Sequence, residues 1–250
     1  MQVLNADSSK PSRAGKHLEA PGLLLTETFI LLGGCLLAFG AGFADAYLFL
    51  STGASVSHLT GDMMRLSTNL PMLSPAMSEG LRLVGSTAIG FLLGAMLAGF
   101  WMNSLQLDLS RPYGRAMMGI GTLFLLAFWL QQDWPVTAIG LAALGCGLQN
   151  GLATRYRGVA LRTTHLTGLI TDFGLTLGMR MRGVKIPPWK IVVPLVVVIA
   201  FFLGGMSSSL VFFRTDWPPL LLVGVGYIVF GGLWSLLKRW PTQEHLDSES

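Results

Sequence analysis

The sequence predicts an all-α integral membrane protein: six transmembrane helices and two short polar helices, arranged as two inverted repeats. Three observations predict it. Of the 250 residues, 52% are hydrophobic and 12% charged, and the mean hydropathy is +0.58; a soluble domain carries roughly 25% charged residues. Six windows approach the roughly 20 apolar residues a helix needs to cross a bilayer core. Finally, Ser57-His58-Leu59-Thr60-Gly61-Asp62 is echoed 107 residues later by Thr164-His165-Leu166-Thr167-Gly168-Leu169.

The elements follow in order. A polar tail, residues 1–20, is too long and too polar for the n-region of a cleavable signal peptide, so the first apolar run is read as a retained span. A single membrane domain occupies 21–240, with spans at about 23–48, 81–103, 116–130, 135–153, 190–213 and 218–237, and a polar tail closes the chain at 241–250. The third window is short and extends into its polar flanks. Trp101, Trp129, Trp134, Trp189, Trp217, Trp234 and Trp240 fall at span ends, as an aromatic belt requires. Segments 57–70 and 163–178 are helical in pattern but shorter and more polar.

Loop charges set the topology, because Lys and Arg accumulate on the cytoplasmic side. Lys10, Arg13 and Lys16 put the N-terminus inside, Arg111 and Arg115 mark an inner loop, and Arg155, Arg157 and Arg162 mark another. Arg180, Arg182, Lys185 and Lys190 are inside, and Lys238 and Arg239 bring the C-terminus back inside. Segments 51–56 and 131–133 lack basic residues and read as outside; Arg214-Thr215-Asp216 is the last outer loop. The alternation holds only if each short segment enters and leaves on one face, as a re-entrant helix does where its backbone is buried in protein or lines a cavity. Helices lying in the interface are the other reading.

The echo extends on both sides. Gly40-Ala41-Gly42-Phe43-Ala44-Asp45 resembles Gly145-Cys146-Gly147-Leu148-Gln149-Asn150, and Phe91-Leu92-Leu93-Gly94-Ala95-Met96 resembles Phe201-Phe202-Leu203-Gly204-Gly205-Met206. Repeat one then covers about 21–131 and repeat two about 134–238, the first opening with a helix that runs outward and the second with one that runs inward. Inverted repeats with discontinuous helices recur in transporters, which bind solute near the midplane. A duplication kept only for packing leaves the same trace, and the glycines serve close packing either way.

On a helix starting near Ser57, the residues His58, Asp62, Arg65 and Asn69 share one face, with Ser55 or Ser57 as N-cap and Pro71 as a stop. In the second copy His165, Gly168, Asp172 and Thr176 take a similar face, flanked by Thr164, Thr167 and Thr171. Ionisable groups at membrane depth cost about 2.5–3.5 kcal/mol each on insertion scales, so they face a cavity or a partner. The expected substrate-binding set is His58, Thr60, Asp62, His165, Thr167 and Asp172, with the histidines meeting near the centre. Asp45, Asn150, Gly61, Gly168 and Arg65 are expected to support it. A structural ion pair of Asp62 with Arg65 or Arg82 explains those charges equally well. Imidazole suits proton handling or ligand hydrogen bonding, and the recurrence of His favours a role without choosing between them.

No metal or other cofactor is expected, because the spacing gives no recognised ligand motif; no P-loop, dinucleotide or Gly-x-Ser-x-Gly signature occurs in a suitable context either. Cys35 and Cys146 lie in apolar runs and behave as small hydrophobes. The net charge of +4 lies mainly in loops and tails, and no basic run with interleaved aromatics is present, so nucleic acid is not an expected partner. The expected partners are the lipid bilayer and a small solute, with homo-oligomerisation left open.

Gly42-Phe43-Ala44-Asp45-Ala46 and Ser57-His58-Leu59-Thr60-Gly61, followed by Gln149-Asn150-Gly151 and Thr163-Thr164-His165-Leu166-Thr167-Gly168, resemble the YoaK-like family of uncharacterised bacterial membrane proteins. The resemblance covers nearly the whole chain after the tail. Asp62 stands where that family commonly has Asn. The resemblance implies a multi-pass protein of the bacterial inner membrane and supplies no substrate. The function expected is a transporter or channel for a small polar or anionic solute, not an enzyme. The alternatives are a membrane-embedded enzyme using a His-Asp pair, for which asymmetry between the copies is expected, and a non-transporting assembly or sensor protein.

Overall fold

A computed structural model of the chain describes residues 22–69, 71, 75–101, 113–153, 155–156, 159–160 and 162–237. The topology-setting Lys10, Arg13, Lys16, Arg111, Arg157, Lys238 and Arg239, together with Trp240 and both tails, lie outside the described residues, as does the side chain of Asn69.

The described elements are helices α1 (Gly22–Thr52), α2 (Leu59–Asn69), α3 (Pro75–Trp101), α4 (Tyr113–Leu130) and α5 (Pro135–Leu152), strands β1 (Arg155–Tyr156) and β2 (Val159–Ala160), and helices α6 (Leu166–Met181), α7 (Trp189–Arg214) and α8 (Pro219–Leu237). Their ends have local causes. Gly53 takes a left-handed φ of 73° and its N–H returns to Phe49 O at 2.9 Å, closing α1. Gly183, with φ 85°, ends α6 in a Schellman motif: its N–H reaches Arg180 O at 2.9 Å and that of Val184 reaches Met179 O at 3.1 Å. Pro135 opens α5 in the first helical position, where the missing N–H costs nothing. The antiparallel ladder of β1 and β2 falls in the arginine-rich connection between α5 and α6.

Five helical segments are long and apolar enough to cross a membrane: Leu31–Thr52, Ser78–Trp101, Tyr113–Leu130, Trp189–Arg214 and Pro219–Leu237. The chain is a multi-pass membrane protein. Large apolar side chains, such as Phe100, Phe202, Phe213 and Leu236, stay exposed on its surface, as a lipid-facing surface requires. Window 135–153 does form a helix, α5, but it is not among the five. It is rich in glycine and alanine, ends in Gln149-Asn150, and is buried along most of its length.

Helices pack in the pairs α1 with α7, α3 with α5, and α4 with α8, while α2 lies on α3 and α6 on α7. Glycines set the closest approaches. Gly42 faces the carbonyl of Phe201 and Gly204 that of Phe39; in the other pair Gly147 faces the carbonyl of Phe91 and Gly94 that of Leu144. A methyl group at any of the four would overlap backbone, so these helices approach as only glycine allows. The four contacts are two matched pairs, since Gly42 aligns with Gly147 and Gly94 with Gly204 in the duplicated segments.

Contacts also give direction. Gly42 meets Phe201 and Ala46 meets Gly205; Gly90 meets Gly140 and Ala98 meets Gly151; both pairs therefore run parallel. Gly114 meets Gly231 and Gly121 meets Gly224, so α4 and α8 run antiparallel. Tyr47 near the end of α1 donates to Gln131 before α5 at 2.7 Å, and Ser86 of α3 donates to Val136 O of α5 at 2.6 Å. The end of α1 and the starts of α3 and α5 thus share one end of the bundle, and the connection through α2 leaves and rejoins there. At the other end Gln149 near the end of α5 donates to Leu37 O of α1, whose neighbour Ala38 packs with Val193 and Val197 near the start of α7. The connection through α6 belongs to that end.

Candidate functional site

Asp45 lies seven residues before the end of α1, a depth of about 10 Å at helical rise. The chain turns at Gly53 and comes back to it. Asp45 Oδ1 accepts the N–H of Val56 at 2.8 Å and of Ser57 at 3.1 Å, and its Oδ2 is 3.3 Å from His58 Nε2. One carboxylate therefore holds the whole returning strand, and it is only 5% exposed. The His58 ring also stands edge-on to Phe201 of α7, with centroids 5.5 Å apart.

The start of α2 is tied by a second carboxylate. Asp62 accepts the Ser55 N–H at 3.1 Å and its hydroxyl at 3.3 Å, while Ser55 Oγ accepts the His58 N–H at 2.9 Å. Arg65 Nη1 lies 3.7 Å from Asp62 Oδ1 and donates to Gly53 O. Asp62 is 4% exposed, whereas Arg65, Thr60 and Gly61 reach the surface. Asp62 is thus both a helix-starting acceptor and the partner of Arg65.

Asp45, His58, Asp62 and Arg65 line one cavity of about 930 Å³ between α1, α2 and α7. Its far wall carries Phe201 and Phe202, and Leu166 at the start of α6 reaches its edge.

The second copy is built differently. Asn150 Oδ1 accepts the Thr164 N–H at 3.4 Å and its Nδ2 donates to Thr164 Oγ1 at 2.6 Å, the position that Asp45 holds toward Ser57. Beside it, Gln149 Nε2 donates to Thr163 Oγ1 at 2.7 Å and to Leu37 O at 2.9 Å, and its Oε1 accepts from the Tyr227 hydroxyl. The result is a closed amide and hydroxyl network, with Gln149, Asn150, Thr163, Thr164 and Tyr227 all buried.

His165 occupies the N-cap position of α6 without a side-chain capping bond, exposed and with its ring folded over Gly168, and Thr167 and Asp172 are exposed as well. Of the expected binding set, the structure gathers His58 and Asp62 in the cavity with the expected supports Asp45, Gly61 and Arg65. Thr60, His165, Thr167, Asp172, Asn150 and Gly168 are not among its lining residues. Sequence reasoning gave no role to Phe201, to Gln149, or to Tyr227. Gln149 carried a signal, standing beside Asn150 in the duplicated motif; Tyr227 carried none. Among the described residues no three His, Cys, Asp or Glu side chains gather as a metal site.

No curated protein and no solved structure matches the chain. A family model described as "Protein of unknown function (DUF1275)" matches residues 33–233, which include every residue of the cavity and of the closed network, and the chain belongs to that family.

Proposed function

We propose that the chain is a transporter or channel for a small polar solute, not an enzyme, and that the solute binds in the cavity of Asp45, His58, Asp62 and Arg65. The single observation that carries this reading is that cavity. Two buried carboxylates, an imidazole and a guanidinium line about 930 Å³ beside the turn between α1 and α2, in a chain whose long helices are otherwise apolar. Charged groups in such a setting ordinarily mark a solute or ion path.

The reading includes a six-span bundle of two inverted repeats, α1–α4 and α5–α8, in which α2 and α6 are re-entrant at opposite faces. The matched glycine contacts, the parallel pairs α1/α7 and α3/α5, and the antiparallel pair α4/α8 support it, because a two-fold axis in the membrane plane relates helices in this manner. α5 crosses as the inner helix of the bundle, shielded from lipid. The termini are cytoplasmic and the membrane is the bacterial inner membrane, as the loop charges and the YoaK-like resemblance imply. The charged solute contacts come from the first repeat and the apolar wall from the second, and His165, Thr167 and Asp172 serve the opposite mouth. The anionic option weakens, because the N–H groups leading into α2 are already taken by Asp45 and by Ser55.

A second reading, a His-Asp membrane enzyme, is favoured by one observation: the His58–Asp45 contact has Asn150 in the corresponding place of the other half. Reconstitution separates the two. Proteoliposomes holding the full chain are expected to take up a polar solute unchanged, and His58→Ala to reduce the rate at least about tenfold. Chemically altered solute inside the vesicles, or uptake indistinguishable from empty liposomes across a broad panel, rejects the transport reading.

A further inference from the structure

The charges around the cavity do not cancel in every protonation state. Asp62 is matched by Arg65 at 3.7 Å. Asp45 faces His58 at 3.3 Å, and that pair is neutral only while it holds one proton, whichever partner carries it. Among the described residues no other ionisable side chain lines the cavity: α7 contributes apolar residues, two of them phenylalanines, with Gly205 and Ser209, and α6 contributes Leu166. On α5 the thiol of Cys146 lies within electrostatic reach of Asp45. With its proton the cavity has no net charge. Without it, one negative charge remains in a partly desolvated space walled by Phe49, Phe201 and Phe202.

From this count we infer that the solute is a small monovalent organic cation that exchanges with the proton of the Asp45–His58 pair. The inference rests on the transport reading and names its substrate class. A monocation restores neutrality when the proton leaves, and phenylalanine faces favour a soft, alkylated cation over a strongly hydrated one. The volume suits a molecule of several heavy atoms. The stoichiometry follows from the charge: one proton released for each cation bound, with no covalent step.

The second half supplies the control. Asn150 holds its returning strand through the same kind of N–H acceptance that Asp45 uses, so Asp45→Asn keeps an acceptor for Val56 and Ser57 while removing the charge. It is expected to give a discharged site in a fold that stays intact.

Binding of tetramethylammonium and tetraethylammonium to the purified full chain in detergent tests the inference, read as thermal stabilisation at pH 8 and pH 5.5, with benzoate and glycerol as anionic and neutral probes. At least one of the two cations is expected to stabilise the protein at pH 8, to bind more weakly at pH 5.5, and to lose more than about tenfold in affinity in Asp45→Asn. Proton release on binding, measured with a pH dye in weak buffer, is expected to approach one per cation at pH 5.5, where the pair still holds its proton, and to fall toward zero at pH 8. If neither cation binds, or if either binds equally well at both pH values and to Asp45→Asn, the inference is overturned. Benzoate or glycerol binding in place of the cations, with uptake in proteoliposomes, overturns the cation class and leaves the transport reading standing. Cation binding as expected without any uptake leaves the class standing and rejects transport.

Discussion

The strand leading into α2 and the strand leading into α6 hang from equivalent positions, Asp45 and Asn150, through hydrogen bonds to equivalent backbone N–H groups. What surrounds them differs. In the first half the acceptor is a carboxylate, its second oxygen meets a histidine, and the space beyond is open. In the second half the acceptor is an amide, its neighbour Gln149 is locked to Tyr227 and Leu37, and the histidine points away. The same backbone device thus occurs in both halves and carries a charge in only one. Shared features should fail alike in the two halves, and unshared features should not.

The largest expected effects belong to the shared features. Gly42→Val and Gly147→Val each drive a side chain into a backbone carbonyl of the paired helix, Phe201 in one case and Phe91 in the other. Overpacking commonly costs about 1–3 kcal/mol, and backbone cannot yield as a side chain does, so about 3 kcal/mol or more is expected for both. Detergent-resistant folding, followed by thermal unfolding, measures it. A tolerated Gly147→Val beside a ruinous Gly42→Val would show that the two interfaces are not equivalent.

Next come the two anchors. Asp45→Ala strands the buried N–H of Val56, worth about 1–3 kcal/mol when unsatisfied, and the part-buried N–H of Ser57, so about 2–4 kcal/mol is expected. Asn150→Ala removes the acceptor of the Thr164 N–H and the amide donations to Thr164 Oγ1 and Cys146 O, and about 1–3 kcal/mol is expected. Asp45→Asn is expected to cost about 1 kcal/mol in stability. If Asp45→Asn unfolds the protein as Asp45→Ala does, the carboxylate matters for structure in a way that the Asn150 comparison does not capture.

The helices were legible because hydropathy and turn chemistry act locally. Window 218–237 and helix Pro219–Leu237 differ by one residue at one end, and window 116–130 gained the polar flank from Tyr113 that its short length demanded. The segment 135–153 was legible as a helix but not as an inner one, since burial of Ala, Gly, Gln and Asn depends on what surrounds them. The candidate site was half legible. The face of His58, Asp62 and Arg65 follows from helical spacing, and Asp62 and Arg65 do pair. The contact of His58 with Asp45, thirteen positions earlier in the chain, depends on the chain doubling back after Gly53, which no periodicity records. Symmetry of sequence suggested symmetry of site, yet a single change of carboxylate to amide leaves a backbone anchor nearly untouched while removing its charge. Phe201 joined the site through the parallel packing of α1 on α7, a tertiary fact carried by glycines far apart in sequence.

The smallest expected effect is also the sharpest on this asymmetry. His58 touches Asp45 at 3.3 Å and Phe201 edge-on, so His58→Ala removes an ion-pair partner and an aromatic contact; about 1–2 kcal/mol of stability is expected to go with them. His165 is exposed with its ring over Gly168, so His165→Ala is expected to stay within about 0.5 kcal/mol of the parent, as surface substitutions do. Uptake separates stability from function. His58→Ala should lose transport at temperatures where it is fully folded, whereas a loss of equal size in a fully stable His165→Ala would mean that the second histidine meets the solute too. The open cavity would then be one station on a longer path, and the charge of Asp45, rather than the presence of a histidine, would be what distinguishes the two halves.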